Sequence, residues 1–240
     1  MNTRISATTL EAYRLYLSGV EWLDYDTLAA QLRGERAATP AMTRGTSLHE
    51  ILETPPEQRR AKFGSEHEIT VVSGCFGNSA AGMDCDVDEE TVPCYTHLGH
   101  TWLAEEVDDI PTTEGVNEIK AEYPIQTAYG ESVLVAKADK VNGLEITDYK
   151  TTTSFDAEKY LASVQWKIYC LAFGATRFTY RVFEIKEKAG EPHHIRDSHE
   201  LPCTPYPGMA EEVRELAEDF ISFCLAHGFE RAIGIKPQEQ

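Results

Sequence analysis

Residues 131 to 150 read ESVLVAKADKVNGLEITDYK, and the Asn142-Gly143 pair inside them constrains this chain more than any other feature. Asn-Gly between two apolar runs is the strongest short-range signal for a tight β-hairpin, because both residues tolerate the positive φ of a primed turn. Yet these strand-like runs also carry two aspartates and a lysine. An unpaired charge in a core is costly, so Asp139, Asp148 and Lys150 must be solvated or compensated, for instance by a metal ion. With Asn142-Gly143 as a two-residue loop, Val141 faces Leu144, Asp139 faces Ile146 and Asp148 faces Lys137. Strand alternation then sends Asp139, Asp148 and Lys150 out of one face. The two aspartates become diagonal neighbours, about 7 Å apart at the backbone. One divalent ion with oxygen ligands at about 2.1 Å can bridge that gap. The plain alternative is a surface ladder of ion pairs, Lys137 with Asp148 and Lys140 with Glu145, since such pairs are common.

Around the hairpin the elements are mostly helical at first. Thr8-x-x-Glu11 reads as a capping box opening a helix with Leu10, Tyr13 and Leu17 on one side. A second helix is expected from Tyr25 to Arg33. A third is expected to start near Gly45 and to stop at Pro55-Pro56, with Leu48, Ile51 and Leu52 apolar. Residues 69 to 115 are mixed: a short ITVV strand, a Gly/Asn/Ser/Ala loop and the acid run DCDVDEE, in part read as poorly ordered. After the hairpin, Asp156 to Phe173 reads as one helix ending at Gly174, RFTYRVFEIK as a strand, and a last amphipathic helix follows Pro207 and closes at Gly228. The expected organisation is a single domain over 1–240. It has a helical part over 1–62, an acidic insertion over about 63–117, a catalytic core over about 118–188 and a C-terminal helix over about 207–228.

The net charge of −18 argues against a polyanion as partner, but its distribution argues the other way. From Glu118 to Lys188 there are 10 basic and 10 acidic residues, so all the excess lies outside the hairpin region. Between Phe63 and Ile119 stand 13 acids and no lysine or arginine. A polyanion would have to be met at the neutral segment, where Lys137, Lys159 and Lys167 are candidates to track its backbone. No apolar run reaches the roughly 20 residues of a membrane span, and the N-terminus lacks a signal-peptide core. A cytoplasmic protein with free thiols is expected. Cys85, Cys94, His97 and His100 fit no zinc spacing.

AKAD139, D148YK150TT, Gly45-x-x-x-His49 upstream and Gln165-x-x-x-Tyr169 downstream together resemble the PD-(D/E)xK nuclease superfamily, in particular its RecB/RecE-like, phage-type exonuclease branch. The likeness runs from about Ile5 to Ile185. Ala138 stands where that family's proline or glycine would be, and Asp148 takes the place of a glutamate. The resemblance implies an α/β fold of restriction-endonuclease type, a mixed central sheet flanked by helices, here with an acidic inserted lobe. It implies Asp139, Asp148, His49 and the Tyr149 carbonyl as ligands to one or two Mg²⁺ or Mn²⁺ ions. Lys150 would stand beside the attacking water. Glu122 is the choice for the motif glutamate, with Glu118 as its rival. Gln165 and Tyr169, i and i+4 on one helix face, would support the site or act as a buried hydrogen-bond clamp. No nucleotide site is expected, because no GxxxxGK[ST] is present, and no iron–sulfur cluster, because the cysteine quartet of some relatives is missing.

The function so implied is metal-dependent hydrolysis of DNA from an end, in phage-type recombination or DNA processing, in the host cytoplasm if phage-encoded. A single-strand annealing or recombination protein and further copies of the chain are conceivable companions. Two other readings stay open: a non-enzymatic acidic binding or regulatory protein on the same scaffold, and an endonuclease of the same superfamily.

Overall fold

In the computed structural model, which describes residues 2–73 and 86–235, the order of elements follows the sequence signals closely in places and departs from them in others. The chain begins with a short strand, β1 (Thr3–Ser6), and four helices: α1 (Ala7–Leu17), α2 (Tyr25–Arg33), α3 (Pro40–Glu53) and α4 (Pro56–Phe63). A three-stranded sheet follows, made of β2 (Gly64–Ser73), β3 (Asp86–His97) and β4 (His100–Leu103), and then α5 (Ala104–Asp108). The main sheet is built from β1 together with β5 (Val116–Thr127), β6 (Gly130–Asn142), β7 (Glu145–Thr152), β8 (Arg177–Lys186) and β9 (His194–Cys203). Helices α6 (Ala157–Leu161) and α7 (Gln165–Phe173) cross from β7 to β8, and α8 (Met209–His227) closes the fold. The Gly/Asn/Ser/Ala loop, Cys75, Cys85 and the start of the acid run lie outside the described residues.

Strand β6 organises the site. Along one edge it pairs antiparallel with β5. Its other edge is shared: β1 runs parallel to Ser132–Val135, while β7 runs antiparallel to Lys140–Asn142. Between them residues 136–139 have no strand on that edge, so the sheet opens there. β7 and β8 are parallel, β8 and β9 antiparallel, and helices pack on the sheet, giving the expected mixed α/β architecture.

The hairpin forms with its loop one residue further on than expected. The ladder pairs Asn142 with Glu145, leaving Gly143 and Leu144 as the loop. Gly143 takes φ +59, which a primed turn with glycine in first position requires. Carried onward, that register sets Asp139 level with Asp148, and not with Ile146. Lys137 pairs with Glu118, not with Asp148.

Other departures have local causes. The N-cap of α1 is Ser6, whose hydroxyl accepts from Thr9 N at 3.0 Å. Glu11 is thereby free to accept from Arg14 and, at 2.8 Å, from Val164 N. That last bond takes an N–H from the expected 156–173 helix, which breaks at residues 162–164. Helix α3 begins at Pro40 because Thr39 caps it and proline suits the first turn. Gly45 therefore lies inside it, with Thr151 Oγ1 only 3.2 Å from where a Cβ would be.

Two cores result. Leu10, Leu134, Ile168, Val213 and Phe220 are buried between the main sheet and α1, α7 and α8. Leu48, Trp102, Val107, Tyr149 and Phe183 are buried between α3, the small sheet and β7–β8. The segment expected as an insertion thus shares a core with the strand that carries Asp148. Among the described residues, no helix is long and apolar enough to cross a membrane.

Candidate active site

The opening in the main sheet is where the ionisable groups meet. Past Lys140 and Thr147 the two strands part, and the Asp139 carboxylate fills the space, accepting from Tyr149 N at 2.9 Å. A strand residue's N–H and C=O leave by the same edge, so the Tyr149 carbonyl faces the same opening. Asp148 lies at the bottom, 1% exposed. Lys150 Nζ stands 2.5 Å from Asp148 Oδ2, a buried ion pair. From α3, His49 brings Nδ1 to 3.8 Å from Asp139 Oδ2, while its Nε2 is buried without a partner.

Burial is the largest single influence on the protonation of each group here, although not always the winning one. It pushes the Asp148 carboxyl up to about 6, Lys150 opposing and Asp139 adding to the shift. Asp139 is raised for the same first reason. Burial also works to lower the Lys150 ammonium, but Asp148 and Asp139 outweigh it, and its pKa lies above the ordinary value. His49 is pushed down to about 4 by burial and then by Lys150, so its imidazole is neutral at pH 7 with a lone pair to offer.

Two clefts join over this group. One of about 670 Å³ reaches from Asp139, Asp148 and Lys150 to Gln165, Tyr169 and the start of α1. The other, about 690 Å³, runs from His49 and Asp139 past Glu50, Glu53 and Glu118. Glu118 has φ +56, unusual for a residue with a side chain, and sits level with Asp139 on the neighbouring strand. Burial, then Asp139 and Glu118, push Glu53 up to about 7.

Glu122 is not brought into the group. It pairs with Val135, four residues and about 13 Å along the strand from Asp139, and it binds Arg4 in solvent at 2.6 Å. Of the two, Glu118 is the one that lines a cleft. Lys167 also points elsewhere: its Nζ is 2.7 Å from Glu212 of α8, on the opposite side of α7 from Gln165 and Tyr169. Those two form the expected clamp, Gln165 Nε2 donating to Tyr169 Oη at 3.0 Å. Lys137 lines both clefts. Glu50 and Glu53 were not singled out in the sequence, although His49-x-x-x-Glu53 has the i, i+4 spacing that shares a helix face. Of the soft-ligand group, Cys94 is buried, His97 binds Glu50 at 2.6 Å and His100 binds His193 at 2.9 Å.

No three His, Cys, Asp or Glu side chains are gathered into ready-made coordination among the described residues. The donor chemistry nonetheless suits a hard divalent cation. His49 Nε2 is buried without a partner, and the carboxylates around Asp139 raise one another's pKa values in a way that a cation would relieve.

A family model described as the PD-(D/E)XK nuclease superfamily matches residues 6–224. No curated protein matches the chain. Among solved structures the chain is similar to one titled "Crystal structure of SSO0001", with 14% identity over 92% of this chain and 76% of that one and a TM-score of 0.49.

Proposed function

The chain belongs to the PD-(D/E)XK nuclease superfamily, and on that premise we propose that it is a Mg²⁺- or Mn²⁺-dependent deoxyribonuclease that degrades DNA from an end, in phage-type recombination or DNA processing. The observation that carries this reading is the buried Asp148 against Lys150, in one cleft with Asp139 and the unpartnered His49 Nε2.

Asp139, Asp148 and His49 would hold the cation, with the Tyr149 carbonyl and Glu118 as further oxygen donors. A bound divalent ion lowers the pKa of a coordinated water and neutralises phosphoryl charge. Lys150, kept charged by its two carboxylates, stabilises the developing negative charge on the phosphoryl oxygens. The water oxygen bonds to phosphorus in line as the bond to the 3′ oxygen breaks; the water gives up a proton to solvent and the departing 3′ oxygen takes one from solvent, giving a 5′-phosphate and a 3′-hydroxyl. Asp139, already hydrogen-bonded to Tyr149 N, is held in place before substrate arrives. Gln165 and Tyr169 support the cleft wall. A DNA-annealing protein or further copies of the chain would act alongside it.

Linear and covalently closed duplexes incubated with Mg²⁺, with EDTA, and with the Asp148→Ala and Lys150→Ala proteins test this. We expect linear DNA to be consumed only with metal. Lys150→Ala should lower kcat about 10²- to 10³-fold, and Asp148→Ala at least as much. Cutting of closed circles would make the protein an endonuclease, and undiminished cleavage by Asp148→Ala would remove the site assignment. No cleavage of any DNA would leave a binding scaffold.

A further inference from the structure

Beside the catalytic cleft, and sharing Thr8 and Met42 with it, runs a second groove of about 410 Å³. That volume lies within the roughly 300–1,000 Å³ of small-ligand sites. Thr8, Glu11, Ala12 and Leu15, one face of α1, form its floor. Trp22, in the α1–α2 connection, and Met42 form its walls and are 55% and 50% exposed. An indole left this open in a fold that buries its other two tryptophans to 0% and 4% is conspicuous.

Arg36 stands over the Trp22 ring, its Cζ 5.7 Å from the centroid. The left-handed cap at Gly34 (φ +74) turns the chain back so that Arg36 returns to the groove, and Gln31 Oε1 steadies its Nη1 at 2.8 Å. Neighbouring Arg33 lies 3.8 Å from Glu35; among the described residues Arg36 enters no such pair. Glu11 brings no free charge, being engaged by Arg14 and Val164 N. The groove therefore offers an aromatic face, apolar walls and one available cation.

We propose that this groove is a stacking subsite for an unpaired nucleobase at the end of the DNA strand entering the catalytic cleft. Trp22 supplies the ring face and Arg36 the charge for the adjoining phosphate. The assignment rests on the nuclease reading above and adds the form of substrate. In a duplex only the outer face of each terminal pair is uncovered and its bases are held together by pairing, so a frayed end or a single strand presents a separate base most readily. Continuity supports it: along α3, Met42 and His49 are about 10 Å apart, a span that a frayed strand crosses without leaving the surface. Stacking on an aromatic ring is indifferent to base identity, as an enzyme that digests any sequence needs.

Because Trp22 is the exposed tryptophan of the three, its fluorescence reports the groove directly. The full chain, in EDTA so that nothing is cleaved, is titrated with a short oligothymidylate and with a blunt duplex. We expect the oligothymidylate to quench the emission and to bind more tightly than the duplex. Trp22→Ala should abolish the quenching and weaken the oligothymidylate Kd about 10-fold, whereas Trp22→Phe should keep the affinity within about two-fold. Unchanged affinity in Trp22→Ala would overturn the assignment. If that variant instead alters the sedimentation of the free protein, the groove is the seat of a second copy. Should Asp148→Ala stop Mg²⁺-dependent cleavage while Trp22→Ala binds normally, only the subsite falls. Should the wild-type protein neither bind nor cleave DNA, the nuclease reading falls with it.

Discussion

Asp148 carries the cost of the site. Its folded-state pKa of about 6 against an ordinary 3.8 means that between about pH 4 and pH 6 the metal-free native state keeps a proton that the unfolded chain releases. Its contribution to stability is full below about pH 4 and is lost as pH rises to about 6. His49, lowered to about 4, runs the other way: its contribution is present above the ordinary imidazole range and is lost as pH falls through 4. The two trends offset each other in the wild-type protein. Asp148→Asn removes the first trend together with the ion pair to Lys150. In EDTA we therefore expect the melting temperature of the variant relative to wild type to rise between pH 4 and pH 7, as thermal melts at the two values would show. A difference that does not change between them would mean that burial does not penalise this carboxylate. Asp139, Asp148 and Lys150 were legible in the sequence because charges in a β-patterned run are conspicuous. Glu118 was no more than a rival to Glu122, because what distinguishes it is a left-handed backbone conformation, which leaves no mark on residue type.

Helix α3 positions His49 by lying close to β7, and Gly45 permits that closeness. A Cβ there would meet Thr151 Oγ1 at 3.2 Å, a contact that a methyl group can share and a branched side chain cannot. We expect Gly45→Ala to be nearly neutral, its helix propensity offsetting the contact. Gly45→Val should cost about 1–3 kcal/mol and slow DNA cleavage by moving His49, one turn further along. Thr151→Ala should restore part of both, a coupling visible in a double-mutant cycle of melting temperature and rate. Elements with strong end signals could be read in advance: α2 between Asp24 and Gly34, and α8 up to Gly228. Strands β1, β5 and β9 could not. β1 has only four residues, β5 carries charges on its exposed side and Pro124 as an edge strand allows, and β9 is a polar edge. Each owes its existence to a neighbour, and a neighbour is what local pattern omits.

At the scale of the molecule, the acid-rich segment and the site form one structural unit. Trp102 of the small sheet is wholly buried, donates to Ser47 Oγ at 3.0 Å, and shares a core with Tyr149 and Phe183 of the strands beneath Asp148. Trp102→Ala should cost about 3–5 kcal/mol, and far-UV and near-UV circular dichroism should report a single coincident transition. An early separate transition would show the small sheet to be an independent lobe. The composition could suggest an insertion there, but not that its tryptophan anchors the strand carrying Asp148, since burial against a distant element is a property of the folded chain alone. The divided edge of β6 has a wider meaning. Where two strands compete for one border and neither takes all of it, the fold leaves unclaimed backbone in its most rigid layer. Acids rooted there inherit the stiffness of the sheet, and their aim survives whatever the loops around them do.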